Sequence, residues 1–141
     1  MRRKQMGVTL MELLTVLVII SILSAIAIPS YRQYTIRANR TDAKTGLLFY
    51  AGALERCYTR YNSYAYNDDP AAGCNVLGAA QLTENGHYLI SISNRTATTF
   101  LLTATPQGKQ ADDTGCGDFT LDQVNTRNVS GSKPVAECWG K

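Results

Sequence analysis

Few residues in this 141-residue chain are equipped for chemistry. Glu12 is the only acidic side chain before Asp42, and it stands at the edge of an uncharged stretch, residues 13–31. In lipid, a carboxylate placed centrally in such a stretch costs about 2.5 to 3.5 kcal/mol. Glu12 therefore either sits at headgroup level or has a positive partner. Gly7 offers a way to make one. A cut between Gly7 and Val8 removes Arg2, Arg3 and Lys4 and leaves a new amine on Val8. That amine lies four residues from Glu12 along the same helix, and end geometry pairs Glu12 with the amine of a neighbouring copy instead.

The other reactive side chains are scattered. Cys57, Cys74, Cys116 and Cys138 are separated by 17, 42 and 22 positions. No C-x-x-C pair is present, which argues against zinc. In an oxidising compartment the four form disulfides, with three connectivities among which the sequence alone does not choose. His87, beside Gly86, has no evident partner for catalysis or metal binding and reads as a surface residue. Asp112, Asp113, Asp118 and Asp122 surround Cys116, but their spacing fits no EF-hand loop, so they read as a solvated turn. No phosphate-binding glycine loop, hydrolase elbow or paired carboxylate constellation occurs. The chain is not read as an enzyme, and no metal or cofactor is expected. Arg95, Lys109, Arg127 and Lys133 lie in loops and would contact a nucleic-acid backbone only if the fold gathers them.

The elements that must carry these groups follow from patterning. A composition of 45% hydrophobic and 18% charged residues argues against a disordered or collagen-like chain, and the length argues against a two-domain enzyme. The net charge of +3 is the contribution of Arg2, Arg3 and Lys4, so the remainder is formally neutral. The 19 uncharged residues 13–31 span roughly 28 Å as a helix, close to the ~30 Å of a bilayer core. The basic head keeps that end cytoplasmic and sends the rest outward.

Beyond Pro29 the pattern becomes one-sided. Ile36, Ala43, Leu47, Tyr50, Leu54, Cys57 and Tyr61 form one helical stripe, with Arg32, Arg37, Arg40, Lys44, Glu55, Arg56 and Arg60 on other faces. A helix over residues 8–61 is predicted. Residues 62–86 read as a connecting loop. Alternation then predicts three or four antiparallel strands, three of them at residues 88–93, 98–104 and 118–123. Their face of Tyr88, Ile90, Ile92, Phe100, Leu102, Phe119 and Leu121 would meet the helix stripe, giving an α+β fold. Residues 124–137 carry little apolar content and are expected to depend on a disulfide for their order.

The run Gly7-Val8-Thr9-Leu10-Met11-Glu12, followed by an apolar segment ending Ala25-Ile26-Ala27-Ile28-Pro29-Ser30-Tyr31, resembles the N-terminus of the type IV pilin family. Val8 stands in place of the usual phenylalanine, and Ser21 where the family often has glycine. Further along, Glu84-Asn85-Gly86-His87-Tyr88 and the closing Cys138-Trp139 are similar to small pilins of the minor-subunit type. The resemblance implies a pilin roll: a long N-terminal α-helix packed on a three- or four-stranded antiparallel sheet, with a disulfide-bonded C-terminal loop at residues 116–138. It implies a leader at 1–7, a transmembrane and filament-core segment at 8–31, and a globular head at 32–141. A prepilin peptidase would cut after Gly7 and N-methylate Val8, Glu12 with Thr9 would serve assembly, and Pro29 would kink the helix. The favoured pairing is Cys57 with Cys74 and Cys116 with Cys138.

The partners implied are other pilin subunits, the prepilin peptidase, an inner-membrane assembly platform and, before assembly, the lipid bilayer. The location implied is the inner membrane with the head in the periplasm, then an extracellular pilus. The leading expectation is a structural, minor pilus subunit. One rival is a DNA-binding minor pilin acting as receptor in DNA uptake, through Arg95, Lys109, Arg127 and Lys133. A second is a type II secretion pseudopilin.

Overall fold

A computed structural model describes residues 7–65 and 76–140. Cys74 lies outside the described residues, and with it the expected Cys57–Cys74 pairing. The chain divides into two compact units, one ending at Thr35 and one beginning at Ile36.

In the first unit, helix α1 (Leu10–Tyr61) begins where a cap permits. The hydroxyl of Thr9 accepts the amide N–H of Glu12 at 3.2 Å. Thr9 and Glu12 have the spacing of a capping box, and a carboxylate in the first turn is favoured by the positive end of the helix dipole. The hydroxyls inside the apolar stretch bond back to their own helix, Thr15 to the Met11 carbonyl at 2.8 Å and Ser21 to the Leu17 carbonyl at 2.7 Å. Both of these hydroxyls are satisfied within the helix. The helix runs on through Pro29, which has no N–H to offer the preceding turn.

In the second unit, α1 ends at Asn62, which adopts φ 52° and donates its amide N–H to the Tyr58 carbonyl at 2.7 Å. Five strands follow where three or four were expected: β1 (Gln81–Leu82), β2 (Tyr88–Ser93), β3 (Leu101–Pro106), β4 (Phe119–Asp122) and β5 (Arg127–Val129). They form one antiparallel meander in chain order, with Ile90 opposite Ala104 and Thr103 opposite Thr120. The additional strands are two and three residues long, too short to show alternation, and β1 falls inside the stretch read as loop. The second predicted strand, β3 in the structure, starts later than expected because the Thr96 hydroxyl takes the amides of Thr98 and Thr99 into a local turn. Its far end extends through Pro106, ahead of a 3₁₀ helix at Gly108–Asp112.

The expected faces meet. Ala43, Leu47 and Leu54 of α1 are buried with Tyr88, Ile90, Phe100, Leu102, Phe119 and Leu121. A side chain at Gly46 would begin 3.0 Å from the Thr83 methyl and 3.2 Å from Ile90 Cδ1, so this glycine admits the sheet close to the helix axis. Aromatic rings extend the core, Tyr64 edge-on to Phe100 at 4.9 Å and Phe119 edge-on to Trp139 at 5.6 Å.

Two expectations about charge are corrected. Arg40, assigned to another face, is buried on the sheet side, and Asp113, assigned to a solvated turn, is buried against it. Arg40 Nε donates to Asp113 Oδ2 at 2.7 Å and Nη2 to Oδ1 at 2.8 Å. These bonds raise the guanidinium pKa above its usual value against the opposing effect of burial. Beside the pair, Gln110 Nε2 donates to the Ile36 carbonyl at 3.1 Å and to the Tyr88 hydroxyl at 2.9 Å, docking the 3₁₀ helix on α1.

In the C-terminal segment Cys116 and Cys138 are disulfide-bonded, as favoured. With the bridge formed, residues 124–137 are ordered in β5 and the start of α2 (Val135–Trp139). Their backbone contributes to that order: Ser130, Gly131 and Lys133 donate amides to the carbonyls of Asp118, Cys116 and Gly115 at 2.9 to 3.0 Å. Gly131 lies against the Gly115 carbonyl, where no side chain fits.

Arg40→Met and Asp113→Asn should each lower stability to denaturant by about 3 to 5 kcal/mol, because each strands a buried charge or its partner. The double variant R40M/D113L should recover most of the loss. Unfolding of the detergent-solubilised full chain measures both. Under the same conditions C116S/C138S should cost roughly 3 kcal/mol, the loop-closure value for its span.

Candidate functional site

The first candidate surface is the N-terminal rod. Leu10, Leu14, Leu17, Ile20, Leu23 and Ile26 are each about half exposed or more, from 49% at Leu14 to 75% at Leu10. No part of the most apolar window of α1 is buried, and that window is long and apolar enough to cross a membrane. A continuous uncovered surface of this kind marks a site of association with lipid or with other apolar helices. At its head, Gly7 is exposed with open space around it, and Val8, Thr9 and Glu12 are exposed together in and ahead of the first turn.

The second candidate surface is basic, and the structure sorts the four residues proposed for it. Arg95 is spent on the fold: Nε donates to the Tyr64 carbonyl at 2.7 Å and Nη1 to the Val76 carbonyl at 2.8 Å, closing the chain on either side of residues 66–75. Lys109 is exposed on the 3₁₀ helix. Lys133 forms an ion pair with Glu137 on α2, which holds the Glu137 carboxyl below its usual range. Arg127 is exposed on β5 with its guanidinium 5.1 Å from the centre of the Trp139 ring.

Two further cations were missed. Lys44 is half-buried on α1, with its Nζ 3.9 Å from where a side chain on Gly140 would begin. Burial, then the nearby charges of Arg40 and Arg127, lower its ammonium pKa below the usual lysine value. Arg37 lies near enough to help stabilise the Glu137 carboxylate. The signal available was the i, i+3, i+7 spacing of Arg37, Arg40 and Lys44, which places them on one side of the helix.

The acids do no comparable work. Asp42 is buried on α1 and accepts from the Thr83 hydroxyl, from Asn85 Nδ2 at 3.1 Å and from the His87 amide at 3.3 Å. It borders a groove of about 580 Å³ together with Asn39, Phe49, Leu82 and His87. A carboxylate so fully engaged pins the 83–87 turn to the helix. Asp122 closes the β4–β5 turn through the amides of Val124 and Thr126. Among the described residues no three His, Cys, Asp or Glu side chains converge as metal ligands.

Known proteins resemble both units. Residues 29–120 match the protein-family model described as "Type IV minor pilin ComP, DNA uptake sequence receptor", and residues 2–28 match the prokaryotic N-terminal methylation motif. Prepilin peptidase-dependent protein D of Escherichia coli is 48% identical over 54 residues, which are 38% of this chain and 37% of that protein. Type IV major pilin protein PilA of Myxococcus xanthus is 34% identical over 106 residues, covering 62% of this chain and 48% of its own. The chain thus spans about half the length, or less, of these curated relatives. A type IV pilin from Shewanella oneidensis superposes with a TM-score of 0.53 at 27% identity, over 75% of this chain and 99% of that one. The non-core minor pilin PilV of Neisseria meningitidis shares the fold, with a TM-score of 0.52 over 70% of this chain and 89% of its own. An uncovered apolar helix opening on a methylation motif, and a head that falls within one pilin family model for most of its length, have a single reading: the chain belongs to the type IV pilin family.

Proposed function

We propose that this chain is a minor subunit of a type IV pilus whose head binds DNA. A prepilin peptidase cuts between Gly7 and Val8 and methylates the Val8 amine. The subunit waits in the inner membrane as a single-pass protein with its head in the periplasm. An assembly platform then moves it into the filament, where Glu12 of one subunit neutralises the Val8 amine of the next. Thr9 holds the first turn in place for that contact. The exposed apolar rod supports this reading, since bilayer and filament core are both environments in which it is covered. DNA binding rests on one observation, the match of residues 29–120 to a family described as a DNA uptake sequence receptor. Of the four basic residues first considered, Lys109 and Arg127 stay in the proposed contact; Lys133 leaves it because it is paired with Glu137, and Arg95 because its donors hold the loop carbonyls.

Two measurements test the parts separately. Glu12→Ala should leave the level of membrane-bound subunit unchanged and reduce its recovery in sheared pili at least tenfold; normal incorporation would rule out the pairing role. Detergent-solubilised full-length protein should retain a labelled DNA duplex, with affinity falling linearly in a log–log plot against salt. Lys109→Ala should lessen that slope by about 1. Arg95→Ala should lower the melting temperature and leave the slope unaltered. Failure to retain any duplex at low salt removes the DNA reading and leaves the structural one standing.

A further inference from the structure

We infer that Lys44 of α1 and Arg127 of β5, the latter braced on Trp139, form a seat for a backbone phosphate of bound DNA. The inference rests on the DNA-binding reading above and places its sequence-independent contact on residues that no motif assigns.

Part of the charge in this region is already neutralised. The charged neighbours of Arg40, Lys44 and Glu137 include the bases Arg37, Arg127 and Lys133 and the acid Asp113. Asp113 is consumed by Arg40 in a two-bonded buried pair, and Glu137 by Lys133. Lys44 Nζ lies 3.9 Å from where a side chain on Gly140 would begin, the Arg127 guanidinium lies over the ring of the adjacent Trp139, and neither forms an ion pair with a described acid. Two like charges held near one another repel by an amount that an anion between them reverses. A phosphate oxygen satisfies both, and a phosphodiester does so without a titratable proton of its own.

The site is also built to stay in place. The Trp139 ring is nearly buried, and its Nε1 donates to the Asn128 carbonyl at 3.1 Å, one residue from Arg127. The guanidinium 5.1 Å above the ring therefore rests on a fixed platform, with its N–H fork free for a phosphate. Lys44 lies on a helix locked one turn away by the Arg40–Asp113 pair. Gly140 adopts φ 79° beside the Lys44 ammonium. Arg37 adds charge at the rim near Glu137. Such a seat fixes position on the duplex and carries no sequence information.

The test uses full-length protein in detergent, a labelled duplex of arbitrary sequence, and the variants Lys44→Ala, Arg127→Ala and their double. Each single variant should reduce the magnitude of the salt slope by about 0.9 and weaken binding about eightfold at 0.1 M salt, equally for unrelated sequences. Lys44→Arg should retain the slope. Because Trp139 is the only tryptophan, its emission should change on duplex addition in wild type and not in the double variant. Unchanged melting temperatures identify these effects as loss of contact. A double variant with the full slope and an unaltered Trp139 response overturns the phosphate seat while DNA binding by the chain stands. Wild-type protein that retains no duplex overturns both.

Discussion

One constraint governs this molecule: an α-helix with apolar side chains all round must satisfy its backbone internally and find something apolar to lie against. Residues 10–28 meet the first half of it through their own helix, with the Thr15 and Ser21 hydroxyls also bonding back to the preceding turn. They leave the second half open, since none of that stretch is covered within the chain. On the proposed reading, two environments can close it, a bilayer and a bundle of identical helices. Both are about equally apolar, so moving between them gains little from the hydrophobic effect. The choice then falls to the few polar groups. Glu12 is the one carboxylate on the rod, and it is worth far more beside an amine in a filament than alone at a lipid boundary.

The other end of the helix is specified by charge as well. Arg40 and Asp42 are two residues apart on α1 and both are buried, each bonded to a segment distant in sequence. Arg40 holds the 3₁₀ helix and Asp42 holds the turn leading into β2. A rotation of the helix by one position would withdraw both groups from their partners and bury them unpaired, at several kcal/mol each. Ala43, Leu47 and Leu54 would tolerate such a shift far better, because apolar contact is not directional. The leucines make the helix adhere to the sheet; Arg40 and Asp42 decide where.

This division explains what the residues revealed in advance. The rod, the apolar stripe and the inward face of β2, β3 and β4 follow from periodicities of 3.6 and 2, which local sequence displays directly. The Cys116–Cys138 bridge agreed with the favoured pairing. Arg40 was misassigned because a cation on a helix is ordinarily solvated, and its partner lies 73 residues away with nothing local to announce it. The acidic cluster misled for the same reason: Asp113 and Asp122 are ordered by unrelated contacts, one tertiary and one within its own turn. β1 and β5 were illegible because two or three residues carry no period. The backbone bonds from residues 130–133 to 115–118 were not legible because they depend on small residues such as Gly131 and on no hydrophobic pattern.

A head with 11 basic and 10 acidic side chains has little long-range attraction for a polyanion, and at physiological salt any field decays within ~8 Å. Affinity for DNA then depends on how charges are paired locally. The fold withdraws both acids that face the α2 region into ion pairs, one buried and one on the surface, and it diverts Arg95 to backbone carbonyls. Among the described side chains beside α2, Lys44 and Arg127 are left outside any ion pair. Counterions condensed on DNA are released only by such unneutralised side chains. The same buried pair that fixes the helix on the sheet therefore also keeps the Asp113 carboxylate from neutralising a surface cation, so packing of the core and polarity of the surface are set by one interaction.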